Sequence, residues 1–435
     1  MNIQIETAIE NLRTSNRRYA KFERYYSGIH ELSFATEKFV NAFGSQFREF
    51  AMNLCPAVCD AVKDKLRITG FAVESVDPGF GSRDFRPDVA RIWDANRMGL
   101  RSGEIHKEAL KNGDAFAIVW PDANGRPAIF PNTASQIAVS YDEEMPGRVE
   151  SAAKFWRTAD KRTRLNLYFA DRIEKYITAK ESEGFLPEAS EFVPFAQSSS
   201  FSLSSPHAED HAEASTLNNP YGIVPVFHFA NNADLGMPGR SELEDAIPIQ
   251  DGLNKSVLDM LVAMEYSAYR QRWVAGIEVE TGPDGKPIAP FKAGVDHLWI
   301  AQDPNSRFGD FETAALDQFL KVKDSFRIDI ASVTGTPLHY LMPHMRGQPS
   351  GETLKKSETR FLAKVRDRQE SFGQVWADLM EFALMIEGHN DVRLKTNWED
   401  PSPSSDRERL ENILLKKQIG LSPARALEEA GYPNA

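Results

Sequence analysis

"GRSELEDAIPIQDGLNKSVLDMLVAMEYSAYRQRWVAG", residues 239–276, is where the character of the chain changes. Strand-like segments precede it. Within it Leu243, Ile247, Leu253, Val257, Leu261, Met264 and Ala268 line up as one apolar helical face. Ser241 and Glu244 stand in capping-box spacing at its start, and Pro248 either kinks the helix or marks a new beginning. The chain then enters "AGIEVETGPDGKPIAPFKAGVDHLWIAQDPNSRFGDFET", residues 275–313, where Gly/Pro turns separate short β-prone runs. A second helix is predicted at "AALDQFLKVKDSFRIDIASVTG", residues 314–335. A small β unit is thus inserted between two helices that can run antiparallel.

Downstream, "VTGTPLHYLMPHMRGQPSGETLKKSE", residues 333–358, breaks the helical run with prolines and glycines. One long helix is predicted from about Ser350, its N-cap, to Glu387. Its apolar positions are Leu354, Phe361, Val365, Phe372, Trp376, Leu379 and Ala383, and its length is roughly 55 Å. A Pro/Ser linker and two short helices are predicted for the tail.

Upstream, residues 1–24 read as an amphipathic helix and "YYSG" as a turn. From Thr36 to Leu66 the recurrence of Phe39, Phe43, Phe47, Phe50, Leu54, Val58 and Val62 predicts another helix, kinked or divided at Pro56. "RITGFAVESVDPGF" is strand-like, and helices follow at "DVARIWDANRM" and "SGEIHKEALKNG", the latter ending at Gly113. A β meander runs from "DAFAIVWPDANGRPAIFP" through "QIAVSYDEE", "SAAKFWRT" and "RLNLYFADRIEKYIT". Residues 183–219, rich in Ser, Ala and acid, read as an aperiodic and mobile surface excursion. "GIVPVFHFAN" then closes the block as a buried strand. The fold class is α+β.

The 435 residues suffice for two or three domains, and 41% hydrophobic with 26% charged residues is the balance of a globular protein. No basic-then-apolar leader and no long apolar run is visible, so the expectation is a protein that stays in the cytoplasm, away from membranes. A net charge of −12 argues against a nucleic-acid coat. The two cysteines, Cys55 and Cys59, could form half of a metal site, but small thiols on an apolar face are more often core. Neither GxxxxGK[ST] nor GxGxxG after a strand is present, which counts against a nucleotide-driven motor. His207 and His211 lack the register of a zinc helix, no GxSxG elbow occurs, and no carboxylate lies close in sequence to His339 or His344. Glu242, Glu244 and Asp245 read as acids complementing a helix N-terminus. No active site and no cofactor emerges.

The order of elements, carried by "LCPAVCDAVKDKLRITGF", "HKEALKNGDAFAIVWPD", "VPVFHFAN", the segment quoted first, "IASVTGTPLHYLM", "QPSGETLKKSE" and "FGQVWADLMEFAL", resembles the portal proteins of long-tailed bacteriophages. The resemblance implies a homo-oligomeric ring, usually of twelve subunits, at one capsid vertex of the virion, assembled in the host cytoplasm. Double-stranded DNA would pass through it. The implied partners are the terminase large subunit, a head-tail adaptor, and the major capsid and scaffolding proteins. It further implies a wing at 1–239, stem helices at 240–275 and 313–336, a clip at 276–312, and a tunnel loop at 337–350. A long wing helix at 351–389 and a short helical crown at 390–435 complete it.

On that layout the tunnel loop offers His339, Tyr340, Met342, His344, Met345, Arg346 and Gln348 to DNA, though Leu338, Tyr340 or Leu341 is expected to pack on the wing instead. Arg270, Arg272, Lys321 and Lys323 on the stems either touch phosphates or pair with a neighbouring subunit's acids. Glu278, Glu280, Asp284 and Lys286 mark the clip as a docking surface for terminase and adaptor. Two other readings are a minor head protein and an enzyme of the packaging apparatus. The missing phosphate loop and carboxylate metal cluster weigh against the enzyme.

Overall fold

The computed structural model describes residues 3–31, 33, 37, 41, 51–76, 84–145, 147–182, 184–195, 215–234, 238–268, 272–276, 281–283, 304–310, 317–342, 358–390, 392–402, 406–418, 420 and 422. The chain divides into two compact units, one of residues 1–29, 53–248 and 329–435, the other of 30–52 and 249–328.

The first unit opens with helix α1 (Ile3–Tyr26), whose Ile5, Ala8, Ile9 and Leu12 face a buried core. The next described helix, α2 (Cys55–Lys63), begins at Leu54, with Pro56 in its first turn. Proline's absent N–H is no loss there, so Pro56 starts a helix rather than kinking one. Of the earlier part of that predicted helix, Thr36, Phe39, Phe43, Phe47 and Phe50 lie outside the described residues. Cys55 and Cys59 are buried in α2 and are not joined in a disulfide.

Strand β1 (Ile68–Val76) and helices α3 (Arg86–Ala95) and α4 (Met98–Asn112) follow. Helix α4 starts four residues before the predicted Ser102, directly after Arg97 at φ +55°. It ends at Gly113, as expected.

Two sheets make up the β block. Strands β2 (Asp114–Pro121), β3 (Pro127–Asn132) and β10 (Val226–Ala230) form one, in the order β10–β2–β3. The meander β4 (Ile137–Tyr141), β5 (Val149–Arg157), β6 (Thr163–Tyr168) and β7 (Arg172–Thr178) forms the other. "GIVPVFHFAN" therefore joins the sheet of β2 rather than closing the meander. The predicted excursion at 183–219 also contributes structure: β8 (Phe192–Pro194) and β9 (Thr216–Asn218) both pair with β7, and Phe192 is buried. Three-residue strands are too short for a periodic signal, which is why the segment reads as loop.

Helix α8 (Thr359–Ile386) is the keel of this unit, burying Phe361, Val365, Phe372, Trp376, Leu379 and Phe382. The fully buried indole of Trp376 meets Trp93 edge-on at 5.2 Å and Phe229 at 4.8 Å, and its N–H donates to His106 Nε2 at 2.9 Å. A buried indole N–H needs such a partner. Strand β13 (Val392–Trp398) pairs antiparallel with β1, and its Thr396 hydroxyl donates to the Gly373 carbonyl of α8 at 2.7 Å. This corrects the expectation that 390–435 is purely helical. Helix α9 (Asp406–Gln418) follows the linker.

In the second unit, most of helix α5 (Ala246–Ala268) and helix α6 (Asp317–Thr334) meet where a Cβ on Gly252 would lie 3.0 Å from the Phe326 ring. Strands β11 (Arg272–Ala275) and β12 (Arg307–Asp310) pair antiparallel, Arg272 opposite Asp310. That register, with the Gly252–Phe326 contact, makes the two helices run in opposite directions and frames the insertion between them. Gln250 donates to the Met52 carbonyl at 2.9 Å, and Ser33 to Asp251 at 2.9 Å.

Candidate functional site

The segment 239–245 leading into α5 is held by buried polar groups. Asp114, 1% exposed, accepts the Gly239 N–H at 2.8 Å and the Tyr19 hydroxyl at 2.6 Å, and lies 2.8 Å from His228 Nε2. Burial pushes the Asp114 pKa up, but His228, Tyr19 and the Gly239 N–H outweigh it and hold the carboxyl below the ordinary range. Backbone contacts reinforce the dock: Asn231 N–H to Gly113 O at 2.7 Å, and Glu242 N–H to Leu110 O at 2.9 Å. Gly113 and Gly239 permit this approach. A Cβ on Gly239 would come within 1.9 Å of the Gly113 carbonyl oxygen.

Ser241 does not cap α5. Its hydroxyl accepts from Leu243 N–H at 3.0 Å in a turn that precedes the helix, and Glu244 pairs with Arg240 at 3.0 Å instead of closing a capping box. Pro248 falls in the first turn of a helix beginning at Ala246, so it marks a new start.

The Glu242 side chain is 6% exposed and is enclosed by cations, rather than complementing a helix N-terminus. Its carboxylate takes Lys364 Nζ and Arg368 Nη2 (3.3 Å) from α8 and Asn231 Nδ2 (3.2 Å). Lys364 also donates to the Thr334 carbonyl at 2.8 Å. Sequence reading missed this cluster. The available signal was that Lys364 and Arg368 fall in register with Phe361, Val365 and Phe372, within an apolar stripe.

Helix α6 ends at Thr334 with Gly335 at φ +67°, the left-handed closure that favours glycine. The Thr334 hydroxyl donates to the Ile330 carbonyl at 2.7 Å. Pro337 then introduces the short helix α7 (Leu338–Leu341). Leu341 is buried and the Tyr340 ring lies 5.8 Å from that of Phe361, so part of this segment packs inward as anticipated. Burial, followed by Glu358 and Asp64, raises the Tyr340 pKa. His339 Nε2 lies 3.2 Å from a carboxylate after all, that of Glu358, nineteen residues on and itself buried. The pair joins the two ends of the segment between α7 and α8.

Among the described residues no group of three or more His, Cys, Asp or Glu side chains is placed to hold a metal, and no helix is long and apolar enough to cross a membrane. Lys364 and Arg368 thus tie the segment 239–245, and Lys364 also the Thr334 carbonyl, to α8.

A family model for phage portal proteins of the SPP1 Gp6-like type matches residues 74–429. The chain belongs to the phage portal protein family. The portal proteins of Mycobacterium phages L5 and D29 are 25% and 23% identical to it over 358 and 360 residues, each match covering 79% of this chain and 67% of the relative. Solved structures of gene transfer agent particles also align. A chain from the neck of the empty particle, computed with C6 symmetry, gives a TM-score of 0.48 at 11% identity over 92% of this chain and 95% of its own. One from the native virion gives 0.49 at 11% identity with the same coverage.

Of the portal residues anticipated from sequence, His339 and Tyr340 are in α7 and Met342 follows it. His344, Met345, Arg346 and Gln348 lie outside the described residues, as do Ser350, Arg270 and the clip set Glu278, Glu280, Asp284 and Lys286. Arg272 stands at the start of β11. Lys321 is exposed on α6 and Lys323 half-buried, near the exposed Leu320 and Val322.

Proposed function

We propose that this portal family member forms a homo-oligomeric ring, of about twelve copies by family precedent, that serves as the conduit for double-stranded DNA at one vertex of the phage head. The observation that carries the reading is the family match across residues 74–429. The order of described elements within that span, with the β11–β12 pair between two helices and a long helix downstream, supports it.

In this reading residues 1–239 are the wing, 240–275 and 313–336 the stem, 276–312 the clip, 337–350 the tunnel loop and 351–389 the long wing helix. A crown at 390–435 then includes the β13 strand as its root. The exposed Leu320, Val322 and Ile328 on α6 suit a helix that meets a neighbour. The terminase large subunit and a head-tail adaptor would dock at the clip, and capsid and scaffolding proteins around the wing. The role is structural. ATPase or nuclease activity of the purified protein above background would overturn that part.

Deleting residues 342–348 tests the conduit. Rings should still assemble, whereas DNA packaging or retention should fail; unchanged phage titres would refute a tunnel role for the loop.

A further inference from the structure

A cleft of about 380 Å³ lies beside the Glu242 cluster, lined by four cationic side chains, Arg240, Arg360, Lys364 and Arg368, and three carboxylates, Glu242, Asp245 and Asp367. Most of these charges already have partners. Arg240 is engaged by Glu244 and Asp245 (2.7 Å), and Lys364 and Arg368 share Glu242. Donor capacity is nevertheless left over. The Arg368 side chain is 5% exposed, and its Nε has no hydrogen-bond partner among the described residues. On the rim, exposed Arg360 reaches the Ser332 carbonyl at 3.5 Å. Val333, 44% exposed, and Ala363 add an apolar strip to the same cleft.

We infer that the cleft receives one acidic side chain from a second copy of this chain, an inference that rests on the ring reading above. Arg360 is the lining cation with no carboxylate partner among the described residues, and one incoming carboxylate balances it. A nucleic-acid strand carries repeated charge past that point and would meet Asp245 and Asp367. An acidic side chain also brings an aliphatic stem for Val333 and Ala363 to cover. Copies of a chain with 63 acidic and 51 basic residues repel one another unless some acids find unused cations. Arg368 is already desolvated and fixed in the folded chain, so an incoming carboxylate meets a preorganised donor.

A photo-crosslinking side chain, Ala363→p-benzoylphenylalanine, placed in rings assembled from mixed ¹⁴N and ¹⁵N subunits tests this. The expected product is a crosslink between chains, mapping to a peptide that contains Asp or Glu. Arg360→Glu should raise the protein concentration needed for ring assembly about tenfold while leaving the melting temperature of the unassembled chain unchanged. Intact rings with crosslinks confined to single chains, crosslinks to DNA, or no crosslink overturn the inference alone. Wild-type protein that forms no ring overturns the ring reading and this inference together.

Discussion

Glu242 shows what a buried charge does when its partners come from far along the chain. Lys364 and Arg368 lie 122 and 126 residues downstream, so nothing local distinguishes Glu242 from the exposed acids beside it. Glu242→Gln should cost about 3–5 kcal/mol, because two cations would remain in a poorly hydrated place, and a chemical denaturation midpoint measures it. His106 behaves differently. Complete burial, only slightly opposed by the Leu66 backbone, pushes its pKa down to about 3 from an ordinary 6.5. The unfolded chain therefore binds a proton that the folded chain refuses. Stability from this group is intact above pH 6.5 and falls as pH drops from there towards 3. His106→Gln, which can still accept from Trp376, should flatten the dependence of melting temperature on pH between about 6.5 and 4. An unchanged slope would assign that dependence to other groups. Trp376 was legible as core from its place in the helical stripe; its hydrogen bond to His106 was not, since the partner sits on another helix 270 residues away.

Elements with a strong period were legible, and those whose identity depends on a partner were not. Helices α1 and α6 and the β2–β7 strands fall where apolar spacing places them, whereas α8 begins at Thr359 after Glu358 rather than near Ser350, though it ends where expected. Strand β13 alternates buried and exposed residues from Val392 to Asn397, yet it follows a long helix and pairs with β1, far upstream, so the tail reads as more helix. The start of α5 was misjudged by five residues for a related reason. Ser241 and Glu244 have the spacing of a capping box, but their segment is tied down by Asp114, Leu110 and Gly113 before the helix begins. That tie depends on the glycine pair. Gly239→Ala would force a Cβ against the Gly113 carbonyl, with backbone on both sides and no flexible side chain to yield. The expected loss is roughly 2–4 kcal/mol, with increased amide exchange in residues 239–245. A variant as stable as the parent would mean the two backbones separate easily.

At the scale of the whole molecule, the strand pair β11–β12 between two opposed helices was legible as an order of elements, and that order carried the family resemblance. Which faces would meet a neighbour in the proposed ring was not legible, because they look like ordinary solvent-exposed helix. Leu320, Val322 and Ile328 are exposed on α6, and the proposed ring would place a neighbouring subunit against them. Replacing Val322 with Asp should leave the single chain folded and weaken assembly, as read by sedimentation velocity. The most direct test of the account is electron microscopy of the purified full-length protein. Closed rings with a central hole wide enough for a DNA duplex are predicted. A population of monomers or irregular aggregates with no closed ring, at any concentration where the protein is folded, would contradict it.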